Sequence, residues 1–442
     1  MTTSRAAATG SGSRWDAVLV VCLGVVLMSL DMTIVAVALP AIGAELHAPP
    51  AVAQWMLLGY SLPIVALSLP AGRWVDRAGP LPAFRLAVGG FGAASALVAL
   101  APGIGTLIAA RVLQGCAGAL IGVVALPLVN DAVRPEHRAR AMSIVLTLIP
   151  LAGVAGPALG GLLTDTVGWR TIFLVNLPVV AVALALSGRA IPAARPGRAG
   201  LPRPDRAAVL DTVLLGAGVT ALVLALSLPA GAPLVTVGLF AAAAVATLAW
   251  ARRPDARPVL GLLHMRRITP SLVTLLATTA GVGAVNLLVP YALVGESAST
   301  TGLVLLVLSA AMAATSPPAG VLADRVGAAP VVLAGTFAVL AGAAWLLAAP
   351  LSPLGLVGPL LLIGVGNGLI AGPNSALVLG ATPPAMVGAG SGLMALGRNL
   401  GFTLGPAFAA LTLGSGATAV PVVLATIGVV AAVAVARRRG SS

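Results

Sequence analysis

Across 442 residues there is no lysine, and charged side chains of every kind make up only 8%. A soluble domain carries roughly a quarter of its residues as charges to keep its surface in water. A soluble enzyme, a nucleic-acid binder and a secreted scaffold are therefore excluded. The missing lysine also removes any Gly-x4-Gly-Lys-[Ser/Thr] phosphate loop, and with it an ATP-driven machine built on this chain alone. Cysteine occurs twice, as Cys22 and Cys116, each inside an apolar run, which reads as small core residues and not as a disulfide. The three histidines, His47, His137 and His264, are scattered in connections and suggest no metal site.

What the chain has in abundance is apolar residues, 59% of the total, with a mean hydropathy of +1.07. A membrane-crossing helix needs about 20 consecutive apolar residues, and such runs recur. They fall near 16–40, 52–72, 83–101, 105–127, 141–163 and 171–190, then 209–228 and 232–251, then 269–291, 300–320, 330–349, 353–376, 388–413 and 417–436. The basic start at Arg5 and Arg14 is followed by apolar residues to Pro40, too long for a signal-peptide core, so that run reads as the first span. With fourteen spans both termini lie on one side. Of the 25 arginines, 21 fall on the side of the termini, only Arg170 on the other, and Arg85, Arg111 and Arg398 within spans. Positive residues stay inside, so both termini are expected in the cytoplasm. Trp15, Trp55, Trp74, Trp169, Trp250 and Trp345 all fall near span ends, as interfacial anchors do.

The chain also repeats. Gly72-Arg73-Trp74-Val75-Asp76-Arg77-Ala78-Gly79 returns as Gly320-Val321-Leu322-Ala323-Asp324-Arg325-Val326-Gly327, an offset of 248, and Gly156-Pro157 returns as Gly405-Pro406, an offset of 249. Six spans with short loops leave room at that offset for two more. The expected architecture is an all-α polytopic membrane protein of two six-helix bundles plus two extra central helices. Its segments are a tail at 1–15, bundles at 16–190 and 269–436, basic linkers with two helices at 191–268, and a tail at 437–442. Repeated halves of this kind are the mark of alternating-access transporters with a midplane site.

On these residues the chain resembles the major facilitator superfamily and, within it, the fourteen-span drug:proton antiporters. The Gly-x-x-x-Asp-Arg-x-Gly loops resemble the superfamily's inner-loop motif. Leu30-Asp31-Met32-Thr33 through Pro40 is similar to the first-helix motif of that branch, and Arg111-Val112-Leu113-Gln114-Gly115 to the fourth-helix motif. Gly153-Val154-Ala155-Gly156-Pro157-Ala158-Leu159-Gly160-Gly161 resembles the fifth-helix motif of exporters. Trp169-Arg170, Phe173 through Pro178, and Arg398-Asn399-Leu400-Gly401 also fit the branch. After the two loops stand Pro80-Leu81-Pro82 and Ala328-Ala329-Pro330, where the family usually places further basic residues.

Asp31 is the one acid deep inside an expected span. An acid there costs about 2.5–3.5 kcal/mol on insertion scales, so it faces a cavity or a partner. It is the first candidate for proton coupling; the plainer reading is a structural hydrogen bond. Arg111 does not deprotonate, so it either holds an acid or water for that coupling, or makes a structural pair with Asp31. Gln114, three residues on, shares its helix side. Gly153, Gly156, Pro157, Gly160 and Gly161 would let helices approach closely, as a seal or as generic packing. Gly72, Asp76, Arg77 and Gly79, with Gly320, Asp324, Arg325 and Gly327, form candidate gating loops. Tyr60, Asn286, Tyr291, Asn367, Asn374 and Arg398 are candidate cavity residues alongside Gln114, and Arg398 would either meet an anionic substrate group or pin its own span.

The resulting expectation is a multi-pass, monomeric protein of the cytoplasmic membrane, with no enzymatic activity, no cofactor and no nucleic-acid partner. It would export small amphipathic compounds against inward protons. With aromatics at only 3%, its pocket would lean on aliphatic side chains and not on stacking. The alternatives are an uptake carrier or uniporter of the same fold, an integral membrane enzyme, and a non-transporting scaffold.

Overall fold

In lipid, backbone amides have no water to bond, so each apolar run must satisfy them internally as a helix. The computed structural model shows this outcome. It describes residues 14–413 except 76, 135–136, 192–199, 228–232, 266–267 and 384–385. The N-terminal half comprises α1 (Trp15–Glu45), α2 (Pro50–Ala53), α3 (Trp55–Leu67), α4 (Pro70–Val75), α5 (Pro80–Ala99), α6 (Ile104–Ala132), α7 (Arg138–Thr166), α8 (Thr171–Leu174) and α9 (Asn176–Ala190). Next come α10 (Arg206–Ser227), α11 (Pro233–Ala251) and a short α12 (Arg257–Leu263). The C-terminal half is α13 (Thr269–Ala292), α14 (Ala298–Val326), α15 (Ala328–Ala348), α16 (Pro353–Ala381) and α17 (Val387–Leu413). Among the described residues, 11 helical stretches are long and apolar enough to cross a membrane. The long helices α7 and α17 fall on two more of the expected spans, and the last, 417–436, lies outside the described residues.

The second and sixth expected spans are each broken, at Gln54 and Val175, into a short entry helix and a longer one. The stretch 252–267, expected as a plain basic connection, folds around α12, with Pro258 in the first turn where its missing N–H costs nothing. The repeat extends well beyond its two motifs. Adding 249 to the bounds of α6 (104–132) gives those of α16 (353–381), and adding 249 to the start of α7 (138) gives that of α17 (387).

Call the ends of the molecule arginine-rich and arginine-poor by their loops. At the arginine-poor end the buried core draws on both halves: Ile34, Leu39 and Ile42 of α1 pack with Ala280, Ala284 and Leu287 of α13, and Val37 packs with Val285 and Val289. At the arginine-rich end the large cluster of the N-terminal half, from Ala17 to Ile191, holds residues of that half alone. The facing cluster around Leu272, Leu275, Val378 and Leu393 belongs to α10–α17 and their connections, with Leu69 at its rim. Among the described residues, the halves therefore share buried core at the arginine-poor end, while at the arginine-rich end these clusters touch across only through Leu69.

The central pair is not symmetric. α10 packs on α3 and α17, where Val223 joins Leu58, Leu62, Leu404 and Ala407, while α11 leaves Leu234, Val235, Val237 and Val245 exposed as a lipid-facing surface would. Buried Asp211 of α10 binds Arg253 just after α11 and ties the two.

Candidate functional site

A polar cluster lies at the heart of the N-terminal half, assembled from five helices. Asp31, the seventeenth residue of α1, and Arg111 of α6 have fully buried side chains, and the Arg111 Nη1 donates to Asp31 Oδ2 at 2.5 Å. The same nitrogen donates to Gln114 Oε1 at 2.7 Å, and Arg111 Nε donates to the Met56 carbonyl on α3 at 2.9 Å. Gln114 Nε2 donates to Asp31 Oδ1 and to Ser95 Oγ on α5, both at 2.9 Å. Asn176, the first residue of α9, adds donations to Asp31 Oδ1 at 3.3 Å and Ser95 Oγ at 3.2 Å. Arg111 Nη2 is buried with no hydrogen-bond acceptor. The guanidinium instead lies over the Tyr60 ring, 4.4 Å from its centroid, with the Phe173 ring at 5.7 Å. Ring faces are negative, so they compensate part of what that nitrogen lost on leaving water.

Local sequence explains the assembly. Arg111 and Gln114 are three apart, hence on one side of α6. Gly115 allows α3 to touch α6, because a Cβ there would collide with the Tyr60 carbonyl. Tyr60 is in turn held by donating its hydroxyl to the Met28 carbonyl at 3.1 Å and by an edge-on contact with Phe91.

A second feature is the seam along α7. A Cβ on Gly156 would strike Thr33 and one on Gly160 the Ile34 carbonyl, both on α1. A Cβ on Gly161 would strike the Ala298 carbonyl of α14, and one on Gly302 the Pro157 carbonyl. Gly153, earlier in the same motif, would meet nothing. The tight contact is thus confined to the arginine-poor half of α7, where it joins the two bundles. Asp165, two residues past the fifth span, completes it: its carboxylate accepts from the α14 amides of Ala298 at 3.0 Å and Ser299 at 2.7 Å. Burial pushes this carboxyl up, but the hydroxyl and amide of Ser299, the amide of Ala298 and the hydroxyl of Ser297 outweigh it and hold it below its ordinary value.

The two repeated loops differ. Asp76 lies outside the described residues. Arg77 pairs at 3.0 Å with Asp205 of the linker before α10, Trp74 Nε1 donates to Pro202 O at 2.8 Å, and the Gly79 amide donates to Gly200 O at 2.8 Å. The first loop is therefore held by the linker. In the second, Asp324 and Arg325 are exposed, and Gly327 has φ +91°, a left-handed conformation that suits glycine. Gly72 faces Val123 at ordinary contact distance, and a Cβ at Gly320 would meet nothing.

Of the candidate cavity residues, Gln114 and Tyr60 are buried in the cluster just described. Asn367 and Asn374 are buried too, donating to the Ile363 and Ser271 carbonyls. Asn286 and Tyr291 are half-buried on α13, and Arg398 is exposed on α17. Phe173 and Asn176 lie in the 173–178 stretch that resembles the branch, but neither was a candidate site residue; Ser95 and Asp165 have no signal beyond a polar side chain within or beside an apolar run.

The pattern of the Major Facilitator Superfamily matches residues 21–259 and 271–441. The chain belongs to the Major Facilitator Superfamily. Among its relatives in this superfamily is the tetracenomycin C resistance and export protein of Streptomyces glaucescens, 31% identical over 90% of this chain and 75% of that protein. The multidrug resistance protein Stp of Mycobacterium tuberculosis is 33% identical over 87% of this chain and 73% of that protein. A riboflavin transporter, RibZ of Clostridioides difficile, is 27% identical over 89% and 87%. This superfamily member is a multi-pass membrane transporter with drug-resistance and export relatives.

Proposed function

We propose that this transporter is a fourteen-span proton antiporter of the cytoplasmic membrane, working as a monomer and exporting small amphipathic compounds by alternating access. The observation that carries the reading is the fully buried Asp31, held by Arg111, Gln114 and Asn176 from two neighbouring helices. A carboxylate so deep in the bilayer is expensive unless it serves. Asp31 takes up a proton from outside, which weakens its hold on Arg111 and loosens α1 from α6. The halves rock, Asp31 releases the proton inward, and the pair re-forms as the next compound is carried out. Twenty-one arginines mark the arginine-rich end as cytoplasmic. The shared core and the α7–α14 seam then close the outer end, so this conformation is the one that loads substrate from inside.

The test uses purified protein in liposomes with an internal pH dye, an imposed proton gradient and a panel of amphipathic compounds, for the wild type and Asp31→Asn. Compound-triggered proton flux in the wild type and none in the variant is expected. Equal flux in both would remove Asp31 from coupling, and compound movement without protons would make the protein a uniporter.

A further inference from the structure

A cation without a counter-charge stands in the other half. Arg398 is the twelfth residue of α17, about 16 Å along the helix at 1.5 Å per residue, so it lies deep in a span and not at a headgroup. Its side chain is exposed, and no described residue gives it a hydrogen bond or an ion pair.

Its direction follows from its neighbours. Gly397, Gly401 and Gly405 face α13, where Cβ atoms on the latter two would collide with Leu276, Thr279 and Ala280. Leu400, Leu404 and Ala407 pack towards α10 and α3, and Gly392 faces Leu69. At about 100° per residue, Arg398 lies about 160° round the helix from Leu400. It therefore points away from the peripheral pair, between the α13 side and the Leu69 side, with Ser391 and Ala395 exposed on the same face. Leu69 belongs to the N-terminal half and α13 to the C-terminal half, so that face lies between residues of the two bundles.

Charge accounting then narrows the chemistry. From residue 269 onward the only acids are Glu296 and Asp324, both at helix ends, and Asp31 is already committed to Arg111. A guanidinium in a low-dielectric space with no carboxylate is costly, and an entering anion relieves that cost with a charge-assisted, two-pronged bond. A cationic compound would find no carboxylate within the described spans of the C-terminal half away from their ends, and few ring faces, since aromatics are 3% of the chain.

We propose that Arg398 recognises an acidic group of the substrate, so that the compounds carried are anionic amphipaths: an apolar body with a carboxylate or similar acid. This rests on the reading of the chain as an exporter.

The test takes the full chain in nanodiscs and three fluorescent probes of one shape: pyrenebutyrate, pyrenebutanol and pyrenebutylamine, with empty nanodiscs as background. The wild type should bind the carboxylate at least about tenfold more tightly than the alcohol or the amine. Arg398→Gln should lose that preference, and Arg398→Lys, which keeps charge without the planar fork, should retain part of it. No preference for the carboxylate in the wild type, or a preference that survives in Arg398→Gln, would overturn the proposal. If Arg398→Gln fails to fold, an undiminished preference in Arg398→Lys overturns the fork geometry on which the proposal rests. The exporter reading fails separately: proton-coupled movement of the neutral alcohol with no charge preference sinks the anion site and keeps the exporter, whereas Arg398-dependent anion binding with no transport of any probe does the reverse.

Discussion

The two halves are copies offset by 249 residues, and their interiors differ in how they carry charge. The positions of Asp31, Arg111 and Gln114 shifted by 249 are Ala280, Leu360 and Ile363, all buried and apolar. Conversely Arg398 corresponds to Ile149 in the first copy. One half holds a neutralised pair locked by hydrogen bonds; the other carries Arg398, exposed and with no partner among the described residues. What the copies keep in common is packing. Gly156 of α7 presses on α1 as Gly405 of α17 presses on α13, because a small residue lets helices touch whatever chemistry lies beside them. The scaffold is symmetric, and the polar side chains placed on it divide the labour.

The most direct way to break the comparison is to make the first copy resemble the second. Arg111→Leu leaves Asp31 buried and unpaired, and removing one partner of a buried pair costs about 3–5 kcal/mol. A large drop in the melting temperature in detergent is expected. Asp31→Ala combined with Arg111→Leu reproduces Ala280 and Leu360 and should recover most of that loss, since apolar replacement of a whole pair is often neutral, while compound-driven proton flux stays absent. A double variant no more stable than Arg111→Leu would mean that the pair itself holds the fold.

The next largest effect concerns the α7–α14 contact, one of those that join the copies. Gly161→Ala drives a methyl into the Ala298 carbonyl and should cost about 1–3 kcal/mol as overpacking. It should open the arginine-poor end, raising the labelling rate of a cysteine placed at Ser299. Gly153→Ala, with open space around it, should leave that rate unchanged. Equal behaviour of the two would remove the seam as the closing element.

The smallest effect sharpens the comparison at the seam's end, where Asp165 has Gly414 as its counterpart in the second copy. Its depressed carboxyl contributes stability that is present above its unfolded value, about 3.9, and is lost as the pH falls through the lower folded value. Protection of the Ala298 and Ser299 amides, measured against intrinsic exchange at each pH, should therefore fall on acidification below about pH 4. Asp165→Asn should show protection about fivefold lower at neutral pH, for a cap worth about 1 kcal/mol, and no further acid step. A retained acid step would place the titrating group elsewhere.

The membrane-spanning helices and the repeat were legible in the sequence because each rests on a one-dimensional signal: apolar run length and motif spacing. The helical fold followed, since lipid leaves the backbone no other choice. That Asp31 needs a partner, and that Arg111 could be it, was legible for the same reason, as charge inside an apolar run is rare and costly. Which atoms met was not. Asn176 lies 145 residues from Asp31 and Ser95 19 from Gln114, and neither stands out in composition. The clamp on the first loop was equally hidden, since Trp74 and Arg77 find Pro202 and Asp205 about 128 residues away. The sequence alone determined that this chain spans a membrane as two related bundles. Only tertiary packing decided that one charged pair neutralises itself, that Gly156, Gly160 and Gly161 press on neighbouring helices while Gly153 does not, and that Arg398 is left exposed. Those outcomes depend on which helix faces meet, and residues far apart in the chain become neighbours only when the helices do.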